Sequence, residues 1–197
     1  VYYNRNAGVI SRNPIPLDKI RHIQNKCMEH DDELRWLVAL VSDTGMRLAE
    51  ASGLLIDDLV LDKDIPFVII QKHPWRGLKT IGSERKIPLV GVSLWGAQRI
   101  KANQTNKFAF PRYNKTSQTN SNSASASLNK WIKQITVGNY SMHSFRHSLR
   151  DRLRAIECPF DIADQLGGWA SHGIGQGYGN GYELDVLLKW MIDGLKK

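Results

Sequence analysis

The sequence predicts an α+β domain, mostly α-helical with a small three-stranded antiparallel sheet. Two features lead to that class. Apolar residues recur at helical spacing along much of the chain, as over Leu17–His30 and in the closing stripe Leu184, Leu187, Leu188, Met191 and Leu195. Between residues 58 and 89 that period gives way to three short β-rich runs separated by turn residues. Composition agrees, because 42% hydrophobic and 23% charged residues are the values of a globular domain rather than of a disordered or membrane chain. At 197 residues, one core can bury roughly 70% of the unfolded surface.

Residues 1–16 mix Asn, Arg, Ser, Gly and Pro without periodicity, and Pro14 and Pro16 discourage helix, so a linker is expected there. A domain over 17–182 follows it. Leu17–His30 reads as a helix, and Asp31 is expected to cap a second one whose Leu34, Trp36, Leu37, Val38, Leu40 and Val41 make it apolar over most of its circumference. That helix should form the core. Gly45 can end it, with a short helix from Met46 to Leu54 beyond. The strands are expected at Asp58–Leu61, Phe67–Gln71 and Arg85–Leu89. Val92–Gln104 returns to helix. Asn114–Ser127, rich in Ser, Asn and Thr, reads as an exposed loop, with Ser125 or Ser127 able to cap a helix through Ile135. Helices are expected at His143–Ile156 and Phe160–Leu166, then a Gly-rich stretch from Gly167 to Gly181, then an amphipathic C-terminal helix in 183–197.

The formal charge of +8 and a pI near 9.6 favour an acidic polymer as partner, since neutralising phosphates releases condensed counterions. Cys27 and Cys158 have no metal-like spacing and suit a reducing cytoplasm; core filling accounts for both. The longest apolar runs fall far short of a membrane span, so no membrane partner is expected. With no initiating Met and no leader pattern, Val1 is expected to open an excised fragment.

Two clusters carry candidate chemistry. Met142-His143-Ser144-Phe145-Arg146-His147 sets His143 and Arg146 three apart at a helix start, where both can address one phosphate. Arg150, Arg152 and Arg154 follow, so an exposed basic helix is the plain alternative. His143 and His147 have metal-ligand spacing, but no Glu lies between them and no third ligand is evident, so no metal is expected. In Thr44-Gly45-Met46-Arg47-Leu48-Ala49-Glu50, an Arg stands just past a Gly break with Glu50 on the same helix face, able to hold Arg47 or His143 in place. A surface ion pair is the alternative, although Arg47 beside a buried helix is an awkward place for an idle charge.

The order and spacing of these pieces resemble the phage-integrase family of tyrosine recombinases. Arg47 in T-G-M-R-L-A-E is followed ninety-nine residues later by Arg146 in H-S-F-R-H, then by L-G-G-W and a Tyr nine residues past the Trp. The resemblance runs from about Asp31 to Tyr182 and implies the catalytic-domain fold of that family. It implies Arg47 and Arg146 as phosphate-clamping arginines, His143 as the histidine paired with the second, and Glu50 as the acidic support of the first. It implies Lys79, on the hairpin before Arg85-Lys86-Ile87-Pro88-Leu89, as the family's lysine, with Lys72 and Lys86 as rivals. Trp169 stands where the commonest family pattern has His; indole offers one N–H donor and no charge, and His172 lies three residues on. Tyr178, among the glycines of G-Q-G-Y-G-N-G-Y, takes the nucleophile's place, with Tyr182 as the competitor. Arg76, Lys86 and Arg150 are expected to contact DNA.

The family's reaction joins DNA to the tyrosine as a 3′-phosphotyrosine and needs neither cofactor nor metal. Expected partners are double-stranded DNA attachment sites, with a homotetramer on DNA and a mainly monomeric isolated fragment. The expected location is the bacterial cytoplasm, on the nucleoid when bound to DNA. The family's N-terminal DNA-binding region would precede residues 1–16, and residues 183–197 could dock on a neighbouring protomer. A related topoisomerase, a catalytically idle DNA-binding relative and a basic protein-interaction module are the alternatives. The last explains charge but not ordered motifs, and the idle relative would be expected to lack one of Arg47, Arg146 or Tyr178.

Overall fold

Helix α2 (Glu33–Thr44) is the centre of the domain, as its apolar circumference predicts: all eight residues from Leu37 to Thr44 are buried. The computed structural model describes residues 13–79, 83–115, 117–169 and 181–197 of the chain. Helix α1 (Leu17–His30) lays Ile20, Ile23, Gln24 and Cys27, one face at i, i+3, i+4 and i+7, toward α2. After the short helix α3 (Leu48–Ser52), strands β1 (Leu59–Val60), β2 (Phe67–Ile70) and β3 (Arg85–Pro88) form an antiparallel sheet in the order β1-β2-β3. Helix α4 (Gly91–Ala102) packs closely on α2, where a Cβ at Gly96 would lie 3.1 Å from that of Ala39.

Strands β4 (Asn114–Lys115) and β5 (Gln118–Thr119) then form a hairpin, followed by helices α5 (Ser121–Ile135), α6 (Ser144–Ala155), α7 (Phe160–Gly167) and α8 (Leu184–Gly194). The chain is therefore mostly helical with small antiparallel sheets, and α1, α4 and α6 surround α2. Among the described residues no helix is long and apolar enough to cross a membrane. Both cysteines are buried and free.

The sequence expectations need three corrections. Asp31 does not cap α2; it ends α1 in the left-handed conformation, φ 44°, and its carboxylate accepts from Trp36 Nε1 at 2.7 Å and from Arg99 at 2.6 and 2.8 Å. Asp32 has the extended backbone a cap requires, and its carboxylate accepts from Arg35 N at 3.0 Å. The stretch expected as one exposed loop contains β4, β5 and the start of α5, and that helix is capped by Asn120, which accepts from Ser123 N at 3.0 Å, rather than by Ser125 or Ser127. The expected linker ends earlier than residue 16: Ile15 is buried, its N–H donates to Ser148 Oγ of α6 at 2.7 Å, and its carbonyl accepts from the same hydroxyl at 3.1 Å. Of the closing apolar stripe, Leu187 and Met191 of α8 are buried on the body beside β3 and α6, while Leu184, Leu188 and Leu195 are partly exposed.

Candidate active site

Arg47 stands where α2 has ended and α3 begins. The turn needs Gly45, whose φ of 58° is left-handed and whose added Cβ would lie 2.6 Å from Leu149 Cδ2, while buried Met46 anchors the next position. Glu50 then fixes Arg47 twice: Oε2 accepts from the Arg47 backbone N–H at 2.9 Å, and Oε1 accepts from Nη1 at 2.6 Å. Nη1 also donates to Ser83 Oγ at 3.3 Å, and Nη2 donates to the Gly168 carbonyl at 3.2 Å.

Arg146, on the first turn of α6, reaches the same carbonyl from the other side. It is 5% exposed, with Nη1 donating to Gly45 O at 3.2 Å and Nη2 to Gly168 O at 3.4 Å. Both acceptors are carbonyls of left-handed glycines at helix ends, since Gly168 closes α7 at φ 59°. A side chain at Gly168 would be strained, and its Cβ would meet Arg85 Nη1 at 2.6 Å. Two helix terminations thus hold two guanidiniums side by side.

A third arginine completes the cluster. Arg85 of β3 donates Nη2 to Glu50 Oε2 at 2.9 Å, Nη1 to Ser83 O at 2.7 Å and Nε to Leu166 O at 3.0 Å. Burial pushes the Glu50 carboxyl up, but Arg85, by charge and hydrogen bond, and then Arg47 outweigh that and hold it below the usual value. Burial also lowers the pKa of Arg146, and the adjacent charges of Arg47 and Arg85 lower it further, to about 9. Three guanidiniums against one carboxylate leave the pocket with excess positive charge, which favours a bound anion, and planar forks suit paired oxygens.

Trp169 lies against this cluster. Its backbone N–H donates to Asp164 O at 3.0 Å, and both Arg146 and Arg150 place their guanidinium carbons 4.6 Å from its ring centre. Its ring is thus a platform that aligns two cations, a use the single-donor argument from sequence does not anticipate. Arg150, expected on DNA, forms an ion pair with Asp164 of α7. His143 immediately precedes α6 and is exposed, its carbonyl accepting from Arg146 N at 3.1 Å and its ring meeting that of His147 edge to face at 5.0 Å. Among the described residues no group of three or more His, Cys, Asp or Glu could hold a metal.

The β2–β3 hairpin is anchored where it leaves the sheet. His73 and Arg76 exchange backbone hydrogen bonds of 3.1 Å across a tight turn, and Trp75 Nε1 donates to Gly53 O at 3.1 Å. Arg76, expected on DNA, is 3% exposed, and its guanidinium donates to the carbonyls of Glu50 and Gln71, so it belongs to the interior. Lys79 is exposed on the loop that follows, and 80–82 lie outside the described residues. Lys72 and Lys86 are exposed as well. Side chains alternate along a strand, so Lys86, next to inward Arg85, faces away from the arginines and lies 5.5 Å from the Phe67 ring centre.

Tyr178 and His172 lie outside the described residues. The competitor Tyr182 is described: its hydroxyl donates to Asp161, its N–H donates to Gln165 Oε1 at 2.8 Å, and its carbonyl accepts from Gln165 Nε2 at 3.0 Å. The Asp161 hydrogen bond raises the phenol's pKa, which makes it a poorer nucleophile. Sequence reasoning overlooked Arg85. Period-two alternation could have found it, since Arg85 shares its face with Ile87 and Leu89, an inward address for a cation.

The model of the phage integrase family matches residues 15–183. No curated protein matches the chain. Among solved structures, the XerH site-specific recombinase bound to a palindromic difH substrate, a post-cleavage complex, is similar with a TM-score of 0.62 and 18% identity over 85% of this chain. The Tn1549 transposon integrase in complex with transposon right-end DNA is similar with a TM-score of 0.63 and 15% identity over 93% of this chain. The chain spans only part of these longer molecules, 49% of the first and 62% of the second.

Proposed function

Because the chain belongs to the phage integrase family, and has the fold of tyrosine-recombinase catalytic domains, we propose that it cuts and rejoins DNA at specific sites through Tyr178. The observation that carries this reading is the meeting of Arg47 and Arg146 at the Gly168 carbonyl, with Glu50 and Arg85 buried behind them.

A phenol with a pKa near 10 is a weak nucleophile at neutral pH, and a phosphodiester anion repels attack. Arg47 and Arg146 bind the nonbridging oxygens and stabilise the charge of the pentacoordinate transition state, a contribution of several kcal/mol in such sites. As the Tyr178 oxygen bonds to phosphorus and the bond from phosphorus to O5′ breaks, the phenolic proton passes to His143. Lys79 supplies a proton to O5′, and the Trp169 ring keeps Arg146 aligned. The products are a 3′-phosphotyrosine and a free 5′-hydroxyl. The ester keeps the bond energy, so another 5′-hydroxyl can attack it without ATP. Guanidinium charge supplies the electrophilic assistance, and the scheme calls on no metal or cofactor.

The partners are double-stranded attachment sites. Strand exchange takes two duplexes and four cuts, hence four protomers on DNA, while the isolated fragment is monomeric in dilute solution. Work on a mobile element's DNA places the protein in the bacterial cytoplasm, at the nucleoid. The test is incubation of the protein with nicked suicide substrates bearing candidate attachment sites, followed by peptide mapping of protein–DNA adducts. The reading expects the nucleotide on Tyr178 and no adduct from Tyr178→Phe. A nucleotide mapped to Tyr182 overturns the assignment.

A further inference from the structure

Arg85 is a buried cation of the site to which the proposed reaction gives no task. Its side chain is 2% exposed, against 21% for Arg47, and its donors are directed inward to Glu50, Ser83 and Leu166. It is therefore poorly placed to hold a substrate oxygen. The segments it joins are remote in sequence: Glu50 lies 35 residues before it and Leu166 lies 81 residues after it.

We infer that Arg85 is a positioning residue for cleavage: it fixes the Glu50 carboxylate that aims Arg47, and it ties the hairpin bearing Lys79 to the end of α7 at which Arg47 and Arg146 meet. For its effect on catalysis this rests on the strand-transfer reading above. Glu50 is the link to Arg47, since one carboxylate oxygen sets the Arg47 backbone and the other its guanidinium. Ser83 is the link to the hairpin, because its carbonyl accepts from Arg85 and its hydroxyl accepts from Arg47. Leu166 is the link to α7, two residues before the carbonyl that both clamping arginines share. A lysine keeps the charge but has no planar fork to serve three acceptors in different directions.

The charged groups that face Glu50 are Arg47 at the start of α3, Arg76 from the hairpin turn, Arg85 from β3 and Arg146 from α6. Among the causes that offset burial at Glu50, the charge of Arg85 stands first, so its removal raises that carboxyl. Two measurements on the full chain test the assignment. In the first, the Glu50 carboxyl is titrated by NMR without DNA in wild type and in Arg85→Gln, with Arg85→Lys as the variant that keeps a charge if the first does not fold. The inference expects an upward shift in Arg85→Gln and only a smaller one, from the lost hydrogen bond, in Arg85→Lys; a titration unmoved in Arg85→Gln overturns it, as does, where only Arg85→Lys folds, cleavage by that variant at the wild-type rate. In the second, single-turnover cleavage of a suicide substrate is followed against pH. Either variant should cleave at least about tenfold more slowly with DNA affinity within about twofold, because Arg47 and Arg146 remain to bind phosphate but are misaligned. The acid limb should also move up with the Glu50 titration. A variant that melts earlier yet cleaves at the wild-type rate per folded molecule, with an unmoved profile, reduces Arg85 to a packing residue. If wild type forms no adduct on any attachment-site DNA, the strand-transfer reading fails, while the titration still decides what Arg85 does to Glu50.

Discussion

Helix α6 carries two buried arginines with opposite economies of charge. Near its end, Arg152 donates Nη1 to Asp43 at 3.3 Å and Nη2 to Ser42 O at 3.2 Å, and both side chains of the ion pair are under a tenth exposed. Asp43 also accepts from Gln24 Nε2 at 2.9 Å and, at the start of α4, from Val92 N at 3.1 Å and Ser93 N at 3.3 Å. That cluster is one cation and one anion, fastening α1, α2, α4 and α6 together. Near the other end of the helix, Arg146 shares its surroundings with the guanidiniums of Arg47, Arg85 and Arg150 and with the Glu50 carboxylate, and among the described residues it donates to the neutral carbonyls of Gly45 and Gly168. Burial of an arginine therefore does not mark a functional site. Unbalanced charge is the feature that sets Arg146 apart, because guanidinium charge left in excess over carboxylate favours an added anion.

The largest effect should come from breaking the balanced cluster. Arg152→Ala leaves Asp43 buried without its cation, which costs about 3–5 kcal/mol in comparable buried pairs, and chemical denaturation should show that loss while adduct yield per folded molecule stays at the wild-type level. Next come Arg47→Lys and Arg146→Lys, which should each slow single-turnover cleavage by at least about a hundredfold with little change in denaturation midpoint, since charge is kept and the bidentate fork is lost. Near-normal cleavage by either would remove that arginine from the site.

A smaller effect of opposite sign should separate the two arginines. Arg146→Met discards an unbalanced buried charge and should melt about 2–4 °C above wild type without DNA, while failing to cleave. The pH dependence follows from the depressed Arg146 pKa. Its folded-state pKa lies below that of the unfolded chain, so native protein holds that proton less tightly, wild-type stability should rise as the pH becomes alkaline, and the variant's advantage should shrink. A constant gap between pH 8 and 10 would tell against the charge imbalance. The smallest effect belongs to Tyr182→Phe, which loses one exposed hydrogen bond to Asp161 and should still form adducts, with melting unchanged within experimental scatter.

Local pattern made much of this legible. Helical period located the helices, Gly45 marked the end of α2, and period two located β2 and β3, because each is a property of neighbours along the chain. The ordered motifs likewise pointed to Arg47, Glu50, His143 and Arg146, and the structure gathers Arg47, Glu50 and Arg146 around Gly168. What sequence alone could not decide was where isolated charges go. Arg76 and Arg150 read as surface cations, yet one is buried on backbone carbonyls and the other is paired with Asp164. Arg85 read as part of a strand, yet it spans α3 and α7. A guanidinium's long stem lets it reach acceptors several ångströms away in any direction, and those acceptors come from segments up to 81 residues distant in the chain. Only the packing of the sheet edge against α3 and α7 brings them within hydrogen-bond range, so the tertiary structure, and no local pattern, decides which arginines are left to meet an anion.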